Sequence, residues 1–138
     1  MNIQELSVGN WVKTTDKDFR GSRECTIQNI EKWRNGYVLV VKFKDGSIET
    51  LGSCCFEPIP LTPEILEENG FEFIDDGNNA IIFLCCDMFW AKLCVGDCFW
   101  SIGVHSEDRL DAVMCDVKYV HQLQHALRLA GNEKEIVL

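Results

Sequence analysis

Asp116-Val117-Lys118-Tyr119-Val120-His121-Gln122-Leu123-Gln124-His125-Ala126-Leu127-Arg128-Leu129-Ala130-Gly131 is the one long helical pattern in the chain, and its reading decides the fold. At ~100° per residue, Tyr119, Val120, Leu123, Ala126, Leu127 and Ala130 share a stripe wide enough to pack on a sheet. Asp116 offers a carboxylate to the free N–H groups of a first turn, and Gly131 stands where a left-handed C′ residue is wanted. A helix near 117–130 is therefore predicted. Lys118, His121, His125 and Arg128 fall within about 80° of one another on the opposite side, a basic face in an acidic protein.

Working outward, the preceding stretch reads as strands. Phe71 to Ile74, Ala80 to Cys86, Phe89 to Val95, Cys98 to Ile102 and Leu110 to Cys115 are apolar or alternating runs separated by turn residues. Glu135 to Leu138 reads as a terminal edge strand. A short helix near 62–69 carries full punctuation: Thr62 as N-cap, Pro63 at the first position, Gly70 as C′ and Phe71 folding back on Leu66. Pro58-Ile59-Pro60 breaks the chain ahead of it.

Before that break the strands are shorter and the turns tighter. Asn35-Gly36 and Asp45-Gly46 are hairpin signals. Tyr37 to Phe43 is a central strand, Ser47 to Leu51 alternates, and Cys25 to Trp33 suits a strand with a bulge. The expectation is an α+β protein: a small SH3-like β-barrel or curled sheet over 1–60, then an α+β unit over 61–138 with an antiparallel sheet packed on the C-terminal helix.

Charge divides in the same place. Residues 1–60 hold eight Lys/Arg and eight Asp/Glu, whereas residues 61–138 hold five and fourteen and so carry the whole net charge of −9. Phosphate would be repelled by the second part, which argues against general DNA binding there. No apolar run approaches the ~20 residues of a membrane span. Met1 to Leu6 has neither a basic start nor an apolar core, so a cytoplasmic location with no membrane contact is expected. Eight cysteines, mostly in apolar runs and twice adjacent, then read as reduced core residues rather than a disulfide framework.

Leu6-Ser7-Val8-Gly9-Asn10-Trp11-Val12, Pro58-Ile59-Pro60-Leu61-Thr62-Pro63-Glu64-Ile65-Leu66 with Gly70-Phe71-Glu72, and Tyr119-Val120-His121-Gln122-Leu123-Gln124-His125 together resemble a family of short proteins from gut Bacteroidales genomes and their phages or mobile elements. The resemblance implies a bacterial cytoplasmic setting and an association with mobile DNA. It implies no activity, catalytic residue or cofactor.

Candidate chemistry is thin. His121 and His125 stand one helical turn apart, which can place two imidazoles on a metal, but no third ligand follows. Cys94 and Cys98 bracket a turn as knuckle ligands do, with Cys85, Cys86 or His105 to complete a set, but the spacing is three residues instead of two. A cysteine nucleophile with His105 or His121 as base lacks any local sign of an activated thiolate. Solvated or packed side chains explain each of these better, so no catalytic residue, metal site or cofactor is assigned, and no enzyme activity is expected. The leading expectation is a protein-interaction module of phage or mobile-element origin with an unknown protein partner. It would bind through its sheet edges or the strip Lys118, His121, His125 and Arg128. The alternative is a nucleic-acid-binding accessory protein using the aromatic and basic residues Trp11, Lys13, Arg20, Arg23, Trp33 and Arg34 of the first part.

Overall fold

The computed structural model describes residues 1–15, 21–75, 80–85, 88–94, 96–106 and 109–138. The chain divides into two compact units, Met1–Ile59 and Pro60–Val137.

The first unit is one antiparallel sheet of β1 (Trp11–Thr14), β2 (Glu24–Trp33), β3 (Gly36–Phe43), β4 (Ile48–Gly52) and β5 (Phe56–Glu57), in the order β4-β3-β2-β1-β5. A 3-10 turn, Ser53–Cys55, leads into β5. Alternation sends one side of each strand inward, and Val12, Cys25, Ile27, Leu39, Val41, Phe43 and Phe56 form a buried cluster with Leu6. The expected bulge lies between Ile27 and Asn29. Asn10 is fully buried ahead of β1, and its Oδ1 accepts from Ser7 N at 2.8 Å, so the turn before the strand closes on itself. Among the described residues the sheet does not close: β4 and β5 are its two ends.

The second unit holds β6 (Glu72–Asp75), β7 (Ala80–Cys85), β8 (Phe89–Cys94), β9 (Trp100–Ser106) and β10 (Arg109–Val117), an antiparallel meander in the order β10-β9-β8-β7-β6, with α1 (Pro63–Glu68) before it and α2 (Val120–Leu129) after it. The α+β class therefore holds. Cross-strand partners share a face, so the register sets Phe83, Ala91 and Ile102 side by side, all buried. Phe83 meets Phe73 at 5.7 Å and Trp100 at 5.9 Å between ring centroids. Trp100 Nε1 donates to Leu61 O at 3.2 Å, which satisfies the one polar atom of that indole. The helix α2 packs against β10, and its C-terminal end borders Cys85, Phe89 and Val104.

The punctuation of α1 follows the sequence closely. Thr62 Oγ1 accepts from Ile65 N, Pro63 opens the helix, Gly70 has φ 76°, and Phe71 N donates to Leu66 O at 3.0 Å. The Glu64 carboxyl is held below its usual range by its own backbone N–H and by the Thr62 hydroxyl. At the end of α2, Gly131 has φ 70° and Asn132 N donates to Leu127 O at 2.9 Å, the same closing motif.

Four expectations are corrected. The N-cap of α2 is Tyr119, not Asp116, and the helix begins at Val120 instead of near 117. Asp116 and Val117 belong to β10, where they pair with Ser101 and Trp100, and Asp116 Oδ1 accepts from Ser101 Oγ. Gln122 supplies the cap, its Oε1 accepting from Lys118 N at 2.8 Å and Tyr119 N at 3.2 Å. The first hairpin pairs Trp33 with Gly36, so its two turn residues are Arg34 and Asn35, and Gly36, at φ 149°, opens β3. Residues 135–138 are not a strand. Instead Asn69 Nδ2 donates to Val137 O at 2.9 Å and Val137 N donates to Asn69 Oδ1 at 2.8 Å, with Ile136 buried beside this clamp. Lastly, the strip on α2 is not a solvent face.

Candidate interaction surfaces

The corrected strip begins with His121. It is only 1% exposed. Its ring stacks on Tyr119, with centroids 5.8 Å apart and 8° between planes, and meets His125 edge-on at 6.4 Å. Gln124 is buried as well, so the covered arc of α2 runs from Ala126 round to His121, about 220° at helical spacing. Of the four residues, Lys118 and Arg128 are exposed and His125 is half-buried. The strip is thus interrupted in its middle. A helix whose polar positions are half covered cannot present a continuous basic face.

The residues of the alternative surface are also dispersed in their chemistry. Lys13 Nζ pairs with Glu57 Oε1 at 3.1 Å. Arg23 lies 3.9 Å over the Phe43 ring, pairs with Asp45 at 2.9 Å and reaches Glu49 at 4.0 Å. It lines a cavity of about 280 Å³ with Thr14, Thr15, Leu51 and Cys55, but its charge there is already met by carboxylates. Ser47 holds the Asp45 carboxyl below its usual range through its hydroxyl and backbone N–H, and Arg23 adds to the shift. Trp11 is half-buried, with Lys44 Nζ 6.0 Å from its ring, and Lys44 in turn pairs with Glu24. Arg20 lies outside the described residues.

Trp33 and Arg34 differ from the rest. The last rung of β4 on β3 is Gly52 on Val38, and β1 pairs only with Glu24, Cys25 and Thr26 of β2. The rungs Lys32–Tyr37 and Trp33–Gly36 therefore lie beyond both neighbouring strands. Trp33 is 65% exposed at this tip. Lys32, Trp33, Arg34, Asn35, Gly36, Tyr37 and Val38 line a groove of about 530 Å³ that contains no carboxylate. Lys32 and Arg34 form no ion pair among the described residues. By strand alternation Val38, Val40 and Ile48 share the face of Trp33, and Ile48 is 63% exposed. Sequence reasoning picked out Trp33 and Arg34 but not Lys32 or Ile48. The cue for Lys32 was its place directly beside Trp33, ahead of the Asn35-Gly36 turn signal.

Among the described residues no three His, Cys, Asp or Glu side chains gather as a metal site. Cys86 and the His105 side chain, offered as ligands to complete the Cys94 and Cys98 set, lie outside the described residues. The seven described cysteines are free thiols. Burial pushes the Cys25 thiol up to about 12, which makes it inert in the fold. Cys115 is raised by burial and by the neighbouring Asp116 carboxylate. Thiol titration of the folded protein is expected to reach the exposed Cys54, Cys94 and Cys98 first and Cys25 only on unfolding. Under denaturing, non-reducing conditions the count should be all eight of the sequence. A count short by a pair after anaerobic purification would reveal a bridge.

No helix of the structure, among the described residues, is long and apolar enough to cross a membrane. Comparison with protein-family models, with curated proteins and with solved structures gives no match.

Proposed function

We propose that this chain is a non-enzymatic protein-interaction module of phage or mobile-element origin, and that its working surface is the β2–β3 hairpin rather than the α2 strip. The observation that carries the reading is Trp33, 65% exposed on a hairpin that overruns the rest of its sheet. Leaving a tryptophan in water forgoes about 1.5–3 kcal/mol of burial, and tryptophan and arginine are the side chains that most often anchor protein interfaces. Val38, Val40 and Ile48 continue on the same face, beside their cross-strand partners Glu31, Thr50 and Lys42, and this mixed apolar and polar surface suits protein side chains better than phosphates. The order β4-β3-β2-β1-β5, with a 3-10 turn ahead of β5, supports reading the first unit as an SH3-like curled sheet. The free thiols support a reducing, cytoplasmic setting.

Quantitative capture from the native host, comparing wild type with Trp33→Ala plus Arg34→Ala, tests this reading. A protein enriched by wild type and lost at least several-fold with the double variant is the expected result. Identical captures would sink the hairpin reading.

Nucleic-acid binding keeps one supporting observation, the cationic, aromatic groove itself. With Lys13 and Arg23 paired to carboxylates, the groove itself offers Lys32 and Arg34 to meet phosphates. Two phosphate contacts predict a weak complex whose log affinity falls with log salt at a slope of roughly −1.4 on single strands. A steeper slope, with tight binding, would favour this second reading over the first.

A further inference from the structure

We propose that the hairpin tip of one copy docks on the β6 edge of a second copy, so that the protein self-associates head to tail. The inference rests on the reading of the hairpin as an interaction surface and names its occupant.

Charge complementarity carries it. The hairpin groove offers Lys32 and Arg34 with no carboxylate among its lining residues, around an exposed Trp33. The second unit displays the matching chemistry on an open strand edge. Among the described residues β6 pairs with β7 alone, so its outer backbone N–H and C=O groups are unpaired by any strand. Its residues Glu72, Phe73 and Ile74 are all exposed, Phe73 by 56%. Just ahead of it, Glu67 and Glu68 on α1 are exposed too. No Lys or Arg lies between residues 61 and 91, and Lys134, whose Nζ lies 5.9 Å over the Phe71 ring, stands at the start of the edge, so the acidic side chains Glu67, Glu68 and Glu72 outnumber it there.

The two patches fit in apolar chemistry as well. Phe73 stands at the rim of the aromatic row that continues through Phe83 to Trp100. Trp33 of a second copy would add one more ring to that row, while Lys32 and Arg34 meet the acidic side chains flanking it. An open strand edge that receives a projecting segment is a recurring mode of recognition. Because two different patches meet, the contact is heterologous, and it builds rings or open chains rather than a closed two-fold dimer.

Sedimentation velocity of the full chain, over a series from micromolar to millimolar and at low and high salt, is the test. Wild type should show an average sedimentation coefficient that rises with concentration and falls back as salt is added. Lys32→Glu with Arg34→Glu should weaken association by about tenfold or more, the scale expected on losing one anchoring contact. Glu68→Lys with Glu72→Lys should do the same, and Trp33→Ala should weaken it without any change of charge. Mixing the two charge-reversed proteins should restore association, since each then offers the patch that the other needs. Circular dichroism of each variant checks that it is folded. A wild type that stays monomeric throughout would overturn the proposal, as would charge-reversed variants that associate as wild type does. If wild type is monomeric yet still captures a host protein through Trp33, self-pairing falls while the hairpin reading stands.

Discussion

Leu123→Ala and Leu127→Ala are each expected to destabilise the protein by about 2–5 kcal/mol, the range for leucines removed from packed interiors. Both side chains are essentially inaccessible, at 0% and 1% exposure. Each loses the transfer energy of its isobutyl group and leaves a void that neighbours refill only in part. The cost should appear as a lower midpoint of urea unfolding with an unchanged slope. Leu129→Ala on the same helix is the control. It is 82% exposed, and surface changes of that kind are usually worth within about 0.5 kcal/mol. Unchanged midpoints for both the Leu123 and Leu127 variants would mean that the buried arc of α2 is wrongly assigned.

Asn69→Ala is the second large effect, expected at about 1–3 kcal/mol. The side chain is 8% exposed and makes three hydrogen bonds, two to the Val137 backbone and one from Nδ2 to Ile65 O at 2.8 Å. It plays the part of a strand partner for the C-terminal tail, matching both groups of one residue as a ladder rung would. Alanine leaves the Val137 N–H and C=O without that match, and the hold on buried Ile136 loosens with them. Amide exchange at Val137 should therefore accelerate far more than exchange within β8. Asn69→Asp separates the two halves of the clamp: it keeps an acceptor for the Val137 N–H but loses both donor contacts. If Asn69→Ala left Val137 exchange unaltered, some other contact would be holding the tail.

The sequence alone determined the features whose causes lie within a few residues. Thr62, Pro63 and Gly70 mark α1 because orphan N–H groups and a left-handed residue are local demands, met by local side chains. Gly131 ends α2 for the same reason. Alternating apolar residues set the strands, and a bulge after Ile27 was legible where the alternation slips. The α+β class follows from these signals added together.

Tertiary structure decided the rest, where the cause lies far along the chain. A helix's own periodicity marks the centre of its buried stripe but not the width, and the packing around α2 widened that stripe to take in His121 and Gln124. Asp116 had the chemistry of an N-cap, but Ser101 and the ladder to β9 claimed it for a strand. The Lys13, Arg23 and Lys44 charges look available in sequence, and strand pairing sets each beside a carboxylate that answers it. Trp33 stands in water for an equally non-local reason. Its hairpin is longer than the strands on either side, and no property of the hairpin's own residues states how far those neighbours reach.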